Sequence, residues 1–513
     1  MVFLLRGVHL RPNDHIIGAR RRCCPPDTRR WALMKILALE ASTTSAKTML
    51  FDTDTGAVAV RSRRFEVDGP DSAVRDADAI YIQLMALGRE AAAGQRIDLI
   101  VLSGTWHGLT LRSDDLSAVT PVMEWPYTGA QDLSAALRAD DDFTWWFYER
   151  TGCMVNAIYP VFKLQHLRSQ GLDIDGLLAL DQASLIFARM TGEIWTNDSL
   201  ASGSGLLSAT DATWDREVID RFDLGRVRLP ELHGTTATAP LSDEAAVLLG
   251  LAAGTPVLTP GPDGGLNQVG DLATEPGEMT FSMGTSGALR VASRHPAFSP
   301  TLSTWSYRSP LGALSGAATS GCGNCVDWAR DRLFGASTDY LDIEPSLSTD
   351  RVDLPVFLPF LFGERSPGWQ DQRRGGFVDL APAHSRVDMY QSVLEGIVYS
   401  LYHCYKELTA LGGAPRRIIL SGGVLSSPFW TQLTADVFGV EMQVSAQQHT
   451  SIVGAVRMGM LASGLDLRHP AFDDVEVRTI APRTEHRDRY DEGFARYLDQ
   501  YQRTVPGSQG AAR

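Results

Sequence analysis

One arrangement occurs twice in this chain and restricts its fold more than any other feature: an apolar strand-like run, a turn of small hydroxyl residues, and a second strand-like run. The first copy is KILALEASTTSAKTMLFD, Lys35 to Asp52, turning at Ser42-Thr43-Thr44-Ser45. The second is GEMTFSMGTSGALRVAS, Gly277 to Ser293, turning at Gly284-Thr285-Ser286-Gly287. Apolar alternation and β-branched residues on either side of each turn predict strands. A unit met twice, without a longer self-similar array, predicts two related α/β domains that each present a polar hairpin tip. At 513 residues the chain also exceeds what one core usually organises.

The rest of the pattern fits that division. AVAVRSRRFEV continues the first hairpin as a third strand, and IDLIVLSG reads as a buried strand. GTPVLTPGPDGGLNQVG carries a strand into a Gly/Pro-rich turn ending at Asp263. VDMYQSVLEGIVYSLYHCYKEL, SPFWTQLTADVFG and SIVGAVRMGMLASG have helical spacing, and RRIILSGGV is a strand entering a Gly-Gly turn. No long linker separates the halves, so the boundary near residue 270 is expected to act as a hinge. The expected units are a first domain over 34–271, a second over 272–482 and a tail over 483–513. Residues 1–33, with RRRCCPPDTRR, lack periodicity. They read as an over-extended start with Met34 the natural first residue, or else as a disordered basic arm.

The turns carry the chemistry. Converging backbone N–H groups form an anion nest, and small residues let a phosphate approach. Two such turns across a cleft would hold a polyphosphate from both sides, with Thr43, Thr44 and Ser45 on one and Gly284, Thr285 and Ser286 on the other. Glu40, at the end of its strand, is placed to help hold hydrated Mg²⁺. Asp263 is placed to accept the proton of an attacking hydroxyl. Gly422 and Gly423 bring backbone against a nucleotide at a strand-to-helix turn. Each also has an ordinary structural reading: a plain hairpin, an Asx-turn or N-cap aspartate, a packed strand-to-helix turn.

Bulk properties narrow the partners. A net charge of −14 disfavours nucleic acid and anionic lipid. No apolar run approaches the roughly 20 residues that span a bilayer. Six scattered cysteines (23, 24, 153, 322, 325 and 404) make no disulfide framework and fit a reducing cytoplasm. Cys322-Gly-Asn-Cys325 lacks a second pair at zinc-site spacing and reads as small-residue packing in a turn.

From about Met34 to Gly464 the chain resembles the FGGY carbohydrate kinases. The first hairpin resembles their D-x-G-T-T-S-x-K loop, PGPDGGLNQVG the segment bearing their catalytic base, and MGTSGALR their second phosphate loop. GGFVDLAPAHSRVDMYQSVLE and LSGGVLSSPFWTQLTADVFG, with Trp430, Gln432 and Asp436, complete the match. SGTWHGLTL is similar to a sugar-site stretch, which assigns Trp106 and His107 to substrate; PVMEWPYTGAQ adds Trp125. TGCMVNAIYPVFKLQHL, GEIWTNDSLASGSGLL and LPFLFGERSPGW look most like the gluconate kinase branch, with xylulokinase a near second. The sequence departs from the pattern at Glu40 and Ser42 (usually Asp and Gly), Tyr127 and Gly129 (Asp and Arg), His166 (Trp) and Asn197 (Asp).

The resemblance implies two actin-like (ribonuclease H-like) domains closing on an interdomain cleft, with ATP and Mg²⁺ as cofactors. It implies phosphoryl transfer to a small sugar, sugar acid or polyol hydroxyl, with Asp263 as the base and also touching substrate. The expected partner is that small molecule, with room left for a homodimer. A non-kinase actin-like ATPase and a sugar sensor without turnover are the rival readings.

Overall fold

A run such as KILALEA, buried along nearly its whole length, belongs inside a sheet that is covered on both faces. In the computed structural model, which describes residues 33–66 and 73–504, it forms a central strand. The expected N-terminal extension, with Cys23 and Cys24, lies outside the described residues apart from Leu33. Strand β1 (Lys35–Ala41) pairs antiparallel with β2 (Ser45–Asp52), and β2 with β3 (Val58–Arg64). On its other side β1 runs parallel to β4 (Leu99–Gly104). With β5 (Thr238–Pro240) and β6 (Pro256–Leu258) the order is β5-β6-β4-β1-β2-β3, and a short β7 (Gly261–Pro262) pairs with the end of β4. Leu37 and Leu39 of β1 pack toward Ile80, Leu84 and Leu87 of α1 (Ala77–Ala92). Helix α2 (Asp263–Gly270) follows β7 directly.

The second sheet repeats this plan. Strand β8 (Glu278–Met283) forms a hairpin with β9 (Gly287–Ser293), beside β10 (Trp305–Ser309) and β11 (Gly312–Thr319). Strand β12 (Arg417–Ser421) runs parallel to β8, as β4 does to β1. With β13 (Met442–Ser445) and β14 (Val477–Ile480) the order is β10-β11-β9-β8-β12-β13-β14. The expected pair of related α/β units is therefore present, each with a hydroxyl-bearing hairpin in the middle of its sheet. Met279, Phe281 and Leu289 pack with α3 (Gly323–Leu333), α4 (Arg386–Gly412) and α5 (Pro428–Phe438).

Helix α6 (Thr450–Ala462) follows β13 in the chain yet covers the first sheet. Its Ile452, Val453 and Val456 pack on Ile36, Ala38, Met49 and Phe51, the side chains of β1 and β2 that face away from α1. Against α2 it packs backbone to backbone. A Cβ on Gly270 would overlap the Thr450 carbonyl, and one on Gly454 would overlap the Leu266 carbonyl. The Thr450 hydroxyl donates to Asn267 Oδ1 at 2.6 Å. The stretch after residue 482, expected as a tail, contains α7 (Arg487–Arg503), which buries Tyr490, Tyr497 and Tyr501 in the second core. Three aromatics on one helical face outweigh a charged composition that by itself reads as solvated. Among the described residues no helix is long and apolar enough to cross a membrane.

The glycine contact yields a stability test. Gly454→Ala must push α6 off α2, so we expect a loss of about 2–3 kcal/mol in chemical denaturation. An unchanged midpoint would show that the contact does not constrain the fold.

Candidate active site

The first hairpin tip is closed by its own hydroxyls. Ser42 N donates to the Ser45 carbonyl at 3.0 Å, and the Ser42 hydroxyl bonds the same carbonyl at 2.8 Å. Ser42 and Ser45 Oγ lie 3.0 Å apart. Ser45, expected to face phosphate, is buried and staples the turn, while Thr44 is exposed at the tip. Ser42 thus supplies by hydrogen bonding the tightness a glycine would supply by freedom of φ. At the second hairpin Gly284 N donates to the Ser286 carbonyl at 3.1 Å, and Thr285 is exposed. The start of α3 docks on this turn through Gly323 N to Gly284 O and Asn324 N to Thr285 O. Cys322 and Cys325, at that helix start, are buried with thiols raised by desolvation, in keeping with a packing role. Gly422 has φ +99°, and a Cβ there would strike the Met283 backbone just before the second turn; Gly423 starts the short helical turn that follows. That double constraint explains the Gly-Gly pair.

Asp263 is the first residue of α2. Its Oδ1 accepts from Gly264 N at 2.6 Å, and it is recessed yet not sealed from solvent. Burial pushes its pKa up to about 6, and the neighbouring Glu40 charge adds to the rise; Arg290, the Gly264 N–H and Lys47 oppose it. These causes locate Asp263 within electrostatic reach of both hairpins, Glu40 and Lys47 from the first and Arg290 from the second. Gly264 has to be glycine, since a Cβ would stand 2.6 Å from the Trp106 ring and 3.1 Å from Arg290 Nε.

Glu40 is buried opposite Lys47 in the β1–β2 register. Its Oε1 accepts from Lys47 Nζ at 2.7 Å; its Oε2 accepts from the hydroxyls of Ser103, at 3.1 Å, and Ser451. A carboxylate has about four acceptor positions, so one, at Oε1, remains open. That suffices for one contact to a hydrated Mg²⁺, direct or through a water. Among the described residues no three His, Cys, Asp or Glu side chains cluster as a metal site. The donor set therefore fits a magnesium ion that keeps its waters beside Glu40 and Asp263.

The residues expected on the sugar side, Trp106 and His107, lie next to this pair. The Trp106 indole donates to the Ser199 carbonyl at 3.0 Å and forms a wall with Trp305 and Tyr307. His107 has φ +70°, and its Nδ1 donates to the Gly203 carbonyl at 2.7 Å. Burial drops its pKa to about 3, so the ring is neutral and Nε2 is an acceptor. Its unusual backbone is held by Lys163, whose ammonium donates to the carbonyls of His107, Met123 and Glu124 at 2.7, 3.1 and 2.9 Å. Trp125, expected on substrate, donates its indole N–H to Thr43 Oγ1 at 3.2 Å, and Arg75 donates to the Thr43 carbonyl. The first hairpin is thereby tied to the segments that carry Trp125 and Arg75.

The departures from the family pattern have local explanations. The Tyr127 hydroxyl occupies the space a Cβ on Gly129 would fill, so the two replacements go together. His166 packs edge-on to Tyr127. Asn197 caps Leu200 N and donates to the Pro260 carbonyl at 2.8 Å, steadying the chain that leads into Asp263. Sequence reasoning singled out neither Lys163, Arg75, Arg290 nor Arg365 as site residues, and it left Lys47 without a role. Only the pairing of Lys47 with Glu40 across a predicted hairpin could have been read in advance.

The profile of the FGGY family of carbohydrate kinases matches this chain over residues 35–270 for its N-terminal domain and 279–463 for its C-terminal domain. The gluconokinase of Bacillus subtilis (strain 168) is 26% identical over 484 residues, covering 87% of this chain and 94% of that protein. The xylulose kinase of Escherichia coli (strain K12) is 26% identical over 447 residues, covering 83% and 90%. A crystal structure of gluconate kinase from Lactobacillus acidophilus superposes with a TM-score of 0.84 at 25% identity, covering 93% of this chain and 99% of that one.

The perturbed acid gives a stability prediction. The pKa of Asp263 is raised on folding, from an ordinary 3.8 to about 6, so its ionisation opposes folding above that range. Asp263→Asn is expected to melt higher than the parent at pH 8. The gap should shrink as pH falls from about 6 toward 4 and vanish below. A variant that melts lower at pH 8 would contradict the burial of this charge.

Proposed function

Because the chain belongs to the FGGY family of carbohydrate kinases, we propose that it transfers the γ-phosphoryl group of ATP to a hydroxyl of a gluconate-like sugar acid, with Asp263 as the base. The observation that carries this reading is the placement of Asp263 at the start of α2, with Gly264 N–H on its Oδ1 and with Trp106 and Arg290 packed against Gly264. A carboxylate with a pKa near 6 is ionised at neutral pH and still basic enough to take a proton as the oxygen–phosphorus bond forms.

In this account the turns at Ser42–Ser45 and Gly284–Ser286 offer backbone N–H groups to the phosphates, and Gly422 and Gly423 flank the nucleotide. Lys47, held at Glu40, supplies positive charge where the transferred group passes. Trp106 walls the sugar and neutral His107 accepts a hydroxyl hydrogen bond. Trp125 acts through Thr43, relaying substrate contact to the hairpin. Mg²⁺, when bound through its waters beside Glu40 and Asp263, supplies charge neutralisation of the phosphates. Glycine packing at α2 keeps Asp263 in place, and closure of the two units excludes water from the transfer. A division at residues 271 and 272, action in the cytoplasm and assembly as a homodimer belong to the same proposal. Similarity to xylulose kinases supports a second reading in which a ketopentose is the acceptor.

Asp263→Asn is expected to lower kcat about 10³-fold or more while ATP still binds, checked by coupled ADP release and calorimetry. In the parent, kcat/KM should fall below a single ionisation near pH 6, and ATP consumption should require added sugar acid. Wild-type turnover by Asp263→Asn would remove the base.

A further inference from the structure

Two arginines near the site make no salt bridge among the described residues, although Asp263 lies within electrostatic reach of Arg290. Arg290, on β9, makes one marginal contact, Nη1 to Ser282 Oγ at 3.5 Å, and its Nε is buried without a hydrogen-bond partner. Arg365, in the LPFLFGERSPGW segment, likewise has a buried Nε without a partner. The two guanidiniums act on each other: desolvation draws the Arg290 pKa down, Asp263 opposes this, and the Arg365 charge adds to the fall. Buried charges are normally paired. Like charges placed together, and left unpaired among the described residues, mark a seat for an anion.

The surroundings show that this seat is rigid. Glu364, the neighbouring carboxylate, is turned away and saturated: Arg373 Nη1 donates to it at 2.9 Å and the Tyr501 hydroxyl at 2.7 Å. On the other side Ser366 N donates to the Ala318 carbonyl at 2.9 Å. Asp371, further along the segment, accepts from Asn156 Nδ2 at 2.7 Å and Arg138 Nη2 at 3.3 Å, tying the segment to the first unit. Arg365 is thus presented by a loop fixed at both ends, the preorganisation that anion recognition needs.

The position of the pair identifies the anion. The Arg365 charge acts on His107, Tyr159 and Tyr307, and a Cβ on Gly264 would stand 3.1 Å from Arg290 Nε and 2.6 Å from the Trp106 ring, so Arg290 stands beside Asp263 and the aromatic wall. Tyr159 and Tyr307 share a 2.7 Å hydroxyl contact that closes the wall. Resting on the kinase reading above, we propose that Arg290 and Arg365 together bind the carboxylate of the acceptor substrate and so select sugar acids over neutral sugars and polyols. Paired, planar guanidiniums match a carboxylate through parallel N–H donors. The other anion with the same chemistry is the transferring phosphoryl group, and the test separates the two sources.

The experiment compares kcat/KM for gluconate with that for glucitol, which has CH₂OH in place of the carboxylate, in the parent, Arg290→Met and Arg365→Met. We expect the gluconate-to-glucitol ratio to fall about 100-fold or more in either variant, with partial recovery in Arg365→Lys. Calorimetry of gluconate in an Asp263→Asn background should show the same loss of affinity without turnover. A ratio within about threefold of the parent overturns the proposal, including the case in which both substrates decline in parallel, which would assign the arginines to the phosphoryl group. Should Arg365→Met fail to fold, Arg290→Met alone decides. A parent that phosphorylates xylulose and not gluconate removes both the substrate reading and this inference. A parent active on gluconate with an unmoved ratio removes the inference alone.

Discussion

The geometry of the site depends on one contact, the backbone-to-backbone packing of α2 on α6 through Gly270 and Gly454. A side chain at either position would separate the helices, and with them the first sheet from the chain that returns out of the second. Because α2 begins at Asp263, this contact also fixes where the carboxylate stands. Gly264 continues the same logic one residue later, admitting Trp106 and Arg290 to the acid. Asp263 is held by what its own helix lacks, and three of the four groups that shift its pKa, Glu40, Arg290 and Lys47, come from elsewhere in the chain.

That packing concentrates charge where desolvation is costly. Asp263, Glu40, Lys47 and Arg290 share one neighbourhood, and only Glu40 is richly hydrogen-bonded within it. A site with an acid raised toward neutrality and arginines without a salt bridge among the described residues is destabilising on its own, and the two buried sheets offset it. Local instability of this kind is what a site prepared for charged ligands costs before they arrive.

What could be read from the sequence was local. The two hairpins follow from alternation interrupted by small hydroxyls, and Gly422 from a strand entering a Gly-Gly turn before a helix. Asp263 follows from its place after a Gly/Pro-rich strand end. What could not be read depends on distant partners. Lys163 looks like any helix lysine until its ammonium is found on three carbonyls from residues 107 to 124. Trp125 carries no sign that its indole reaches Thr43, and nothing in SIVGAVRMGMLASG says that it covers the other sheet. Glu40 and Ser42 depart from the usual residues of the first loop, yet both are used: the longer acid reaches Ser451, and the hydroxyl closes the turn. Tyr127 and Gly129 likewise make sense only as a pair.

The two hydroxyl-bearing turns, the aromatic wall and the acid support one proposal: a single hydroxyl is presented to Asp263 in line with a triphosphate gripped from both sheets. The most direct measurement is a crystal structure of Asp263→Asn with gluconate and a non-hydrolysable ATP analogue. The account predicts a substrate hydroxyl about 3 Å from the residue-263 side chain, with the terminal phosphate between residues 42–45 and 284–286. A substrate hydroxyl directed at another group, or a triphosphate held by only one of the two turns, would contradict it.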